Sequence, residues 1–176
     1  MKSAITKFFL PCFALALAAL VSLTGCGHYR LGTGSRPTFA SIYIAPVQNK
    51  ADAPQATAVV SARLREAFLR DGRVALTAAP EEADALLVVT LTRYGRETLT
   101  ALAADTGRAR KLNLALEATA TLTDRRTGRT LFERRPLHAD RQIFTDSGQL
   151  QAEYDAVPLL AEQLAQAASR ATLDTW

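Results

Sequence analysis

Between Leu112 and Thr123 the chain keeps one strict rhythm: Leu112, Leu114, Leu116, Ala118, Ala120 and Leu122 alternate with Asn113, Ala115, Glu117, Thr119, Thr121 and Thr123. Side chains of a strand point to opposite faces in turn, so a period of two over a dozen residues predicts a long strand with one greasy face and one polar face. One side of the resulting sheet meets a core and the other meets water or a partner. Asp124-Arg125-Arg126-Thr127-Gly128-Arg129 then reads as a hairpin loop in which Gly128 can take a positive φ, and Thr130 to Ala139 returns as a further strand interrupted by Pro136. Upstream, Asp84 to Thr92 is a continuous β-branched run with apolar residues on both faces, which suits the centre of a sheet. Phe39 to Val47 is a first strand, with Pro46 marking its end or an edge, and Val74 to Thr77 is a short strand followed by a turn at Pro80-Glu81-Glu82.

Two stretches carry the helical period instead. Asp52 and Gln55 resemble a capping box, and Val60, Leu64, Ala67 and Phe68 recur at helical spacing until Asp71-Gly72 closes the pattern. After Ser147-Gly148 a second stripe runs through Leu150, Tyr154, Val157, Leu160, Ala161, Leu164, Ala168 and Ala171, with Pro158 either kinking it or marking a new start capped by Asp155. Two helices can cover only one face of a sheet. The expected fold is therefore α+β, a two-layer sandwich with two helices packed on one face of a mixed, mostly antiparallel sheet of about four strands.

The first 25 residues belong to a different kind of segment. Lys2 and Lys7 flank a positive start, Phe8 to Val21 is apolar apart from Pro11, and Leu23-Thr24-Gly25-Cys26 ends in cysteine. The apolar run is shorter than the ~20 residues of a membrane span, so it reads as an export signal. Leu-Thr-Gly-Cys matches the lipobox of bacterial lipoproteins, which implies a diacylglycerol on the Cys26 sulfur, cleavage after Gly25 and an acyl chain on the new N-terminus. Several chains, each methylene contributing about 0.8 kcal/mol, give lasting attachment to a bilayer. Residues 1–25 are then a signal peptide, 26–37 a lipidated Gly- and Arg-bearing linker, and 38–176 a single α+β domain. Gly27 follows the cysteine where Asp would imply inner-membrane retention, so the resemblance favours the outer membrane. Loss of Cys12 with the signal and acylation of Cys26 leave no thiol for an internal disulfide, so packing alone must stabilise the domain.

The remaining chain is poor in the residues of catalysis. It has two histidines, His28 and His138, no GxSxG elbow and no phosphate-cradling glycine loop, so no catalytic and no metal-ligating set is expected. The charge pattern is more informative. From Leu91 to Arg141 eleven Lys+Arg stand against six acids, although the whole chain carries only +4. Positive charge on the strands and their loops suits an anion, and the candidates are Arg93, Arg96, Arg108, Arg110 and Lys111, grouped around an expected turn at Thr106-Gly107. A solvated rim that protects sheet edges would produce the same excess. Nucleic acid is a poor partner, since stacking aromatics are missing and the compartment is wrong.

Cys26-Gly27-His28-Tyr29-Arg30-Leu31-Gly32, the strand Ile42 to Val47 with Asn49 after it, the helix ending near Gly72, Ala83-Asp84-Ala85-Leu86-Leu87, the Leu112 to Thr123 strand and Ala161-Glu162-Gln163-Leu164 together resemble the LPS-assembly lipoprotein family, LptE. The resemblance implies a two-helix, roughly four-stranded sandwich that plugs and helps assemble a large LptD-type β-barrel translocon in the outer membrane and binds lipopolysaccharide there. It implies no enzymatic activity and no cofactor beyond the lipid on Cys26. Basic residues near the turn between the central strands are implied to meet the ligand, and Arg108, Arg110 and Lys111 fall near that place. The family's second basic position, in the last helix, is not matched, because Gln149-Leu150-Gln151-Ala152-Glu153 carries no lysine. Two rivals stand beside this reading: a periplasmic adaptor lipoprotein of the TolB N-terminal or CsgG-like kind that does not bind lipopolysaccharide, and a lipid carrier with a cavity. Replacing Cys26 by Ala is expected to leave an unlipidated, mislocalised precursor; fractionation of Cys26→Ala with the outer membrane at the normal level would overturn the lipoprotein reading.

Overall fold

The computed structural model describes residues 37–174 apart from 103, 104 and 147, so the expected signal segment, Cys26 and nearly all of the linker lie outside the described residues. Strand β1 (Ser41–Ile44) is followed by β2 (Gln48–Asn49), helix α1 (Pro54–Asp71), β3 (Ala75–Leu76) and a 3-10 turn (Pro80–Glu82). Then come β4 (Ala85–Leu102), β5 (Asp105–Asp124), β6 (Thr130–Phe144) and helix α2 (Gln149–Leu173). The sheet order is β3-β1-β4-β5-β6, with β2 also paired to β4. Pairings β1·β3, β1·β4 and β2·β4 are parallel, while β4·β5 and β5·β6 are antiparallel.

This is the expected α+β sandwich with six strands rather than about four. The strand expected over 39–47 is shorter, β1 ending at Ile44 before Pro46, which lacks an N–H for the ladder, and a two-residue strand not expected from the sequence, β2, follows it and also pairs with β4. The central strand also runs ten residues further than the β-branched run ending at Thr92.

The alternation on β5 holds throughout, with Leu112, Leu114, Leu116, Ala118, Ala120 and Leu122 all buried. They join Ala85, Leu87, Val89 and Leu91 of β4, Leu137, Ala139 and Ile143 of β6, and the inner stripes of both helices in one hydrophobic cluster. Burying a leucine or isoleucine side chain contributes about 1.5–3 kcal/mol, so this cluster is the dominant stabilising term.

Helix α1 buries Ala56, Val60, Leu64 and Phe68 and ends at Gly72, whose φ of 70° suits glycine as the C-terminal cap. Its start differs from the capping box expected at Asp52 and Gln55: no side chain caps it, and Pro54 is already in its first turn. Asn49 supports that corner instead, accepting from the Ala51 N–H at 2.8 Å and donating to the Ala53 carbonyl at 3.0 Å and to the Thr57 hydroxyl at 2.9 Å.

Helix α2 runs unbroken through Pro158. Asp155 caps nothing there; its carboxylate accepts from the Gln151 amide at 2.8 Å. An interior proline costs about 3 kcal/mol, and the long buried stripe from Glu153 to Leu173 outweighs it. The stripe also differs from the one expected at its start, since Leu150 and Tyr154 are 84% and 68% exposed while Glu153 and Ala156 face inward.

The end of the sheet where the chain joins the fold is tied by Asp84. Its Oδ2 accepts from the backbone N–H of Ala40 at 2.9 Å and of Ser41 at 3.1 Å, and its own N–H donates to the Ser41 hydroxyl at 2.9 Å. The Ala40 N–H above all, with Ser41 and the Arg126 charge, holds the Asp84 carboxyl below its ordinary value against a smaller opposing effect of desolvation. A lowered folded-state value means stability that is present above the ordinary carboxylate range and lost as pH falls through the folded value. Asp84→Asn is therefore expected to cost about 1 kcal/mol at neutral pH. In urea unfolding the gap between wild type and variant should narrow as the pH is lowered from 7 to 3; a gap of the same size at both pH values would rule out the charge as its origin.

Candidate functional site

The β4–β5 hairpin carries every described candidate cation, and a single irregularity decides where two of them point. Leu91 pairs with Ala118 and Arg93 with Glu117, so Thr92 is the extra residue of a β-bulge. Up to Leu91 the odd-numbered residues of β4 face the helices. Beyond the bulge the even-numbered ones do, because Tyr94 and Arg96 stand opposite the buried Leu116 and Leu114.

Arg96 is thereby turned toward α2, where its Nε donates to Glu153 Oε2 at 2.7 Å. Its guanidinium also lies 4.8 Å from the Tyr94 ring centroid, within the range of a cation–π contact. Gln149, one turn before Glu153, donates to the other carboxylate oxygen at 2.9 Å. The hydrogen bond to Glu153 pushes the already high Arg96 value further up, so Arg96 keeps its charge. Burial, reinforced by the Glu153 carboxylate, raises the Tyr94 phenol against the opposing pull of Arg96. The Tyr94 hydroxyl is buried with no hydrogen-bond partner among the described residues.

Arg93 points to the opposite, uncovered face, 3.5 Å from Glu117 Oε1. Glu117 stands opposite His138 on β6, and His138 Nε2 lies 3.5 Å from Asp140 Oδ1. The rest of that face is half-buried Leu86, Val88, Thr90, Thr119, Thr121 and Thr123. Arg93 and Arg96 therefore do not share a site.

The expected turn at Thr106-Gly107 is corrected. Leu102 pairs with Asp105, so Thr106 and Gly107 lie within β5, as do Arg108, Arg110 and Lys111. The register shifts because residues 106–108 of β5, between the Ala101–Ala109 and Leu102–Asp105 pairs, have no partner on β4. The backbones of Arg108 and Arg110 flank Ala109, which pairs with Ala101; their side chains lie outside the described set. Lys111 pairs with Thr100 on one side and Phe144 on the other, and its ammonium lies 5.7 Å from the Phe144 ring centroid. Lys111 has no carboxylate within ion-pair distance among the described residues, unlike Arg93 and Arg96.

Four residues at this end were not among the expected site residues, and two of them, Leu150 and Tyr154, were expected in the core stripe instead. Arg141 is exposed on the helix-facing side, opposite Leu114 in the same row as Arg96. Phe144 is 60% exposed, and Leu150 and Tyr154 stand on the outer surface of the first turns of α2. Leu137, Ala139 and Ile143 already set the parity that places Arg141, and Leu150 with Tyr154 stand four apart, but a four-residue apolar pair also suits a core. The arrangement is amphipathic: a cation and large apolar side chains lie at one end of the molecule, the chemistry that meets an anionic amphiphile.

Among the described residues no group of three or more His, Cys, Asp or Glu could hold a metal ion, and no helix is long and apolar enough to cross a membrane.

Solved structures with this fold include a protein from Xanthomonas campestris, 14% identical, covering 79% of this chain and 89% of its own at a TM-score of 0.55. A hypothetical protein from Chlamydia trachomatis is 9% identical over 75% of this chain and 94% of its own, TM-score 0.52. A minor lipoprotein from Acinetobacter baumannii is 18% identical over 77% and 92%, TM-score 0.50. At these identities the likeness is one of fold. No curated protein matches the chain. The family described as LptE, lipopolysaccharide-assembly, matches residues 39–170, from two residues before β1 almost to the end of α2. It is a non-enzymatic family of cell-envelope lipoproteins associated with lipopolysaccharide transport. With three quarters of its length matched, this chain belongs to the LptE lipopolysaccharide-assembly family.

Proposed function

We propose that this chain is an outer-membrane lipoprotein that plugs and helps assemble an LptD-type β-barrel translocon and aids the insertion of lipopolysaccharide at the cell surface. In this reading Cys26 carries a diacylglycerol and an N-acyl chain, and the domain works without a further cofactor.

The observation that carries the reading is the β4–β5 hairpin. Strand β6 ends at Phe144 opposite Lys111, so beyond the Thr100–Lys111 pair the sheet narrows to two strands. A two-stranded ribbon is marginal in water by itself. A barrel wall receiving this ribbon would supply the contacts that the domain's own helices do not reach. Arg108 and Arg110 lie on that ribbon and Lys111 at its base, where lipid A phosphates could be gripped bidentately by arginine and neutralised in place of divalent ions. Phe144, Leu150 and Tyr154 offer apolar surface for the same amphiphile. Arg93 and Arg96 enter this reading only as paired charges, Arg96 bracing the start of α2 through Glu153.

The test is affinity purification of the tagged chain from detergent-solubilised outer membranes, wild type beside Arg108→Ser/Arg110→Ser/Lys111→Ser, with mass spectrometry of proteins and assay of lipopolysaccharide. A stoichiometric large β-barrel is expected with both. Lipopolysaccharide is expected to fall in the variant and, for the wild type, to fall with added salt, since exposed charges are screened over ~10 Å at 0.1 M. Recovery of a periplasmic secretion complex in place of a barrel would establish the adaptor reading, and equal lipopolysaccharide with both proteins would return those cations to a solvated rim.

A further inference from the structure

The opposite end of the sheet, where the chain joins the fold, carries a second set of cations. The β5–β6 loop presents Arg125, Arg126 and Arg129, all exposed. It is a rigid loop: Asp124 Oδ1 accepts from the Arg126 and Thr127 N–H groups at 2.8 and 3.2 Å, the Asp124 N–H donates to the Arg129 carbonyl at 2.8 Å, and Gly128 supplies a φ of 71°. Burial pushes the Asp124 carboxyl up, but those backbone N–H groups and Arg126 outweigh it, and the net value is lowered.

The loop is tied to the incoming chain. Arg126 Nη2 donates to the Thr38 carbonyl at 3.1 Å and stands 3.5 Å from Asp124 Oδ2, while its Nε lies 3.8 Å from Asp84 Oδ1. Arg125 and Arg129 have no side-chain ion pair or hydrogen bond among the described residues. Several carboxylates of this end are already committed: Asp84 and Asp124 to backbone N–H groups, Asp71 and Asp174 to Arg73. Glu81 and Glu82 on the 3-10 turn are exposed, which confines the positive field to the loop itself.

Between Cys26 and Thr38 there are two arginines, Arg30 and Arg36, and no acid. Twelve residues reach at most about 43 Å when fully extended. A lipid at Cys26 thus keeps the loop within one short tether of the bilayer to which the chain is fixed.

We propose that the β5–β6 loop is a membrane-docking surface, in which Arg125 and Arg129 bind the phosphate headgroups of the anionic phospholipid leaflet that holds the Cys26 acyl chains, orienting the domain with its β4–β5 ribbon away from that leaflet. The inference rests on acylation of Cys26 as proposed above. Acyl chains combined with basic residues form a two-signal membrane contact, and the Arg126–Thr38 hydrogen bond couples the position of the loop to the direction from which the tether arrives. The ribbon tip lies at the far end of β4 and β5, since Ala85 pairs with Asp124 and Leu102 with Asp105.

The test uses the mature lipoprotein carrying Thr127→Cys, whose new thiol is unique once Cys26 is acylated, labelled with a fluorophore and reconstituted in nanodiscs that contain a headgroup quencher. Discs of phosphatidylcholine are compared with discs of mixed phosphatidylcholine and phosphatidylglycerol. The docked population is expected to rise roughly tenfold or more in the anionic discs, as two arginines near such a surface imply, and to collapse at 1 M salt, where the screening length is about 3 Å. Arg125→Ser/Arg129→Ser should abolish the rise, and Arg125→Lys/Arg129→Lys should keep most of it. A label at Leu150→Cys, beyond the other end of the sheet, should stay unquenched in both discs. Quenching at position 127 that ignores lipid charge, or survives the serine double variant, overturns the proposal. Mass spectrometry of the N-terminal peptide separates the two failures: an unacylated Cys26 removes the anchor reading and this one with it, whereas an acylated Cys26 with an unquenched loop removes this one alone.

Discussion

Burial of one face of β5 beneath the helices is the constraint from which the remaining structure follows. The described residues contain no cysteine, so the alternating leucines and alanines of that strand must find a continuous apolar partner without a disulfide to help. They find it in a cluster that takes in both helices and the inner faces of β4 and β6. Because β5 is longer than either helix can cover, the sheet has two regions: a helix-covered body, and a two-stranded extension beyond Lys111.

The bulge at Thr92 shows how a local backbone event sets the electrostatics of the domain. Without it, Arg93 would face the helices and Arg96 the open side. With it, Arg96 meets a buried carboxylate on α2, while Arg93 sits in an exposed row with Glu117 and His138. A half-exposed arginine against a largely buried glutamate is a stronger contact than an exposed surface pair, which is worth about 0–1 kcal/mol. The charge excess counted along the hairpin therefore divides into cations that brace the fold and cations that remain available.

Legibility in the sequence followed the same physics. The period of two on β5, the helical stripe of α1, the stop at Gly72 and the positive φ of Gly128 were all readable, because each is a local signal with one dominant cause. What could not be read depended on partners distant in sequence. Asn49 took the supporting role expected of Asp52 because β2 pairs with β4 and brings it beneath α1. Leu150 and Tyr154 match the stripe by spacing, yet the sheet beneath the start of α2 offers Tyr94 and Arg96, so Glu153 is the residue turned inward. The turn between β4 and β5 was misplaced because irregular pairing near its tip is invisible to a one-dimensional pattern. A single bulge also lies below the resolution of any charge count, so the grouping of Arg93 with Arg96 could only be settled by register.

The two ends of the sheet are chemically unlike, and this gives the molecule a direction. At the end where the chain enters the fold, carboxylates accept from backbone N–H groups and Arg73 locks the C-termini of both helices together through Asp71, Asp174 and the Leu173 carbonyl. The hydrogen bonds that Arg73 donates to Asp71 lower the Asp71 carboxyl, and Arg73 is held still more firmly protonated in return. At the other end the helices start short of the ribbon, large apolar side chains face outward, and Lys111 has no carboxylate within ion-pair distance among the described residues. The two ends thus differ in kind: where the chain enters the fold the carboxylates are committed and only Arg125 and Arg129 remain open, whereas the far end sets exposed apolar side chains beside a cation with no carboxylate among the described residues.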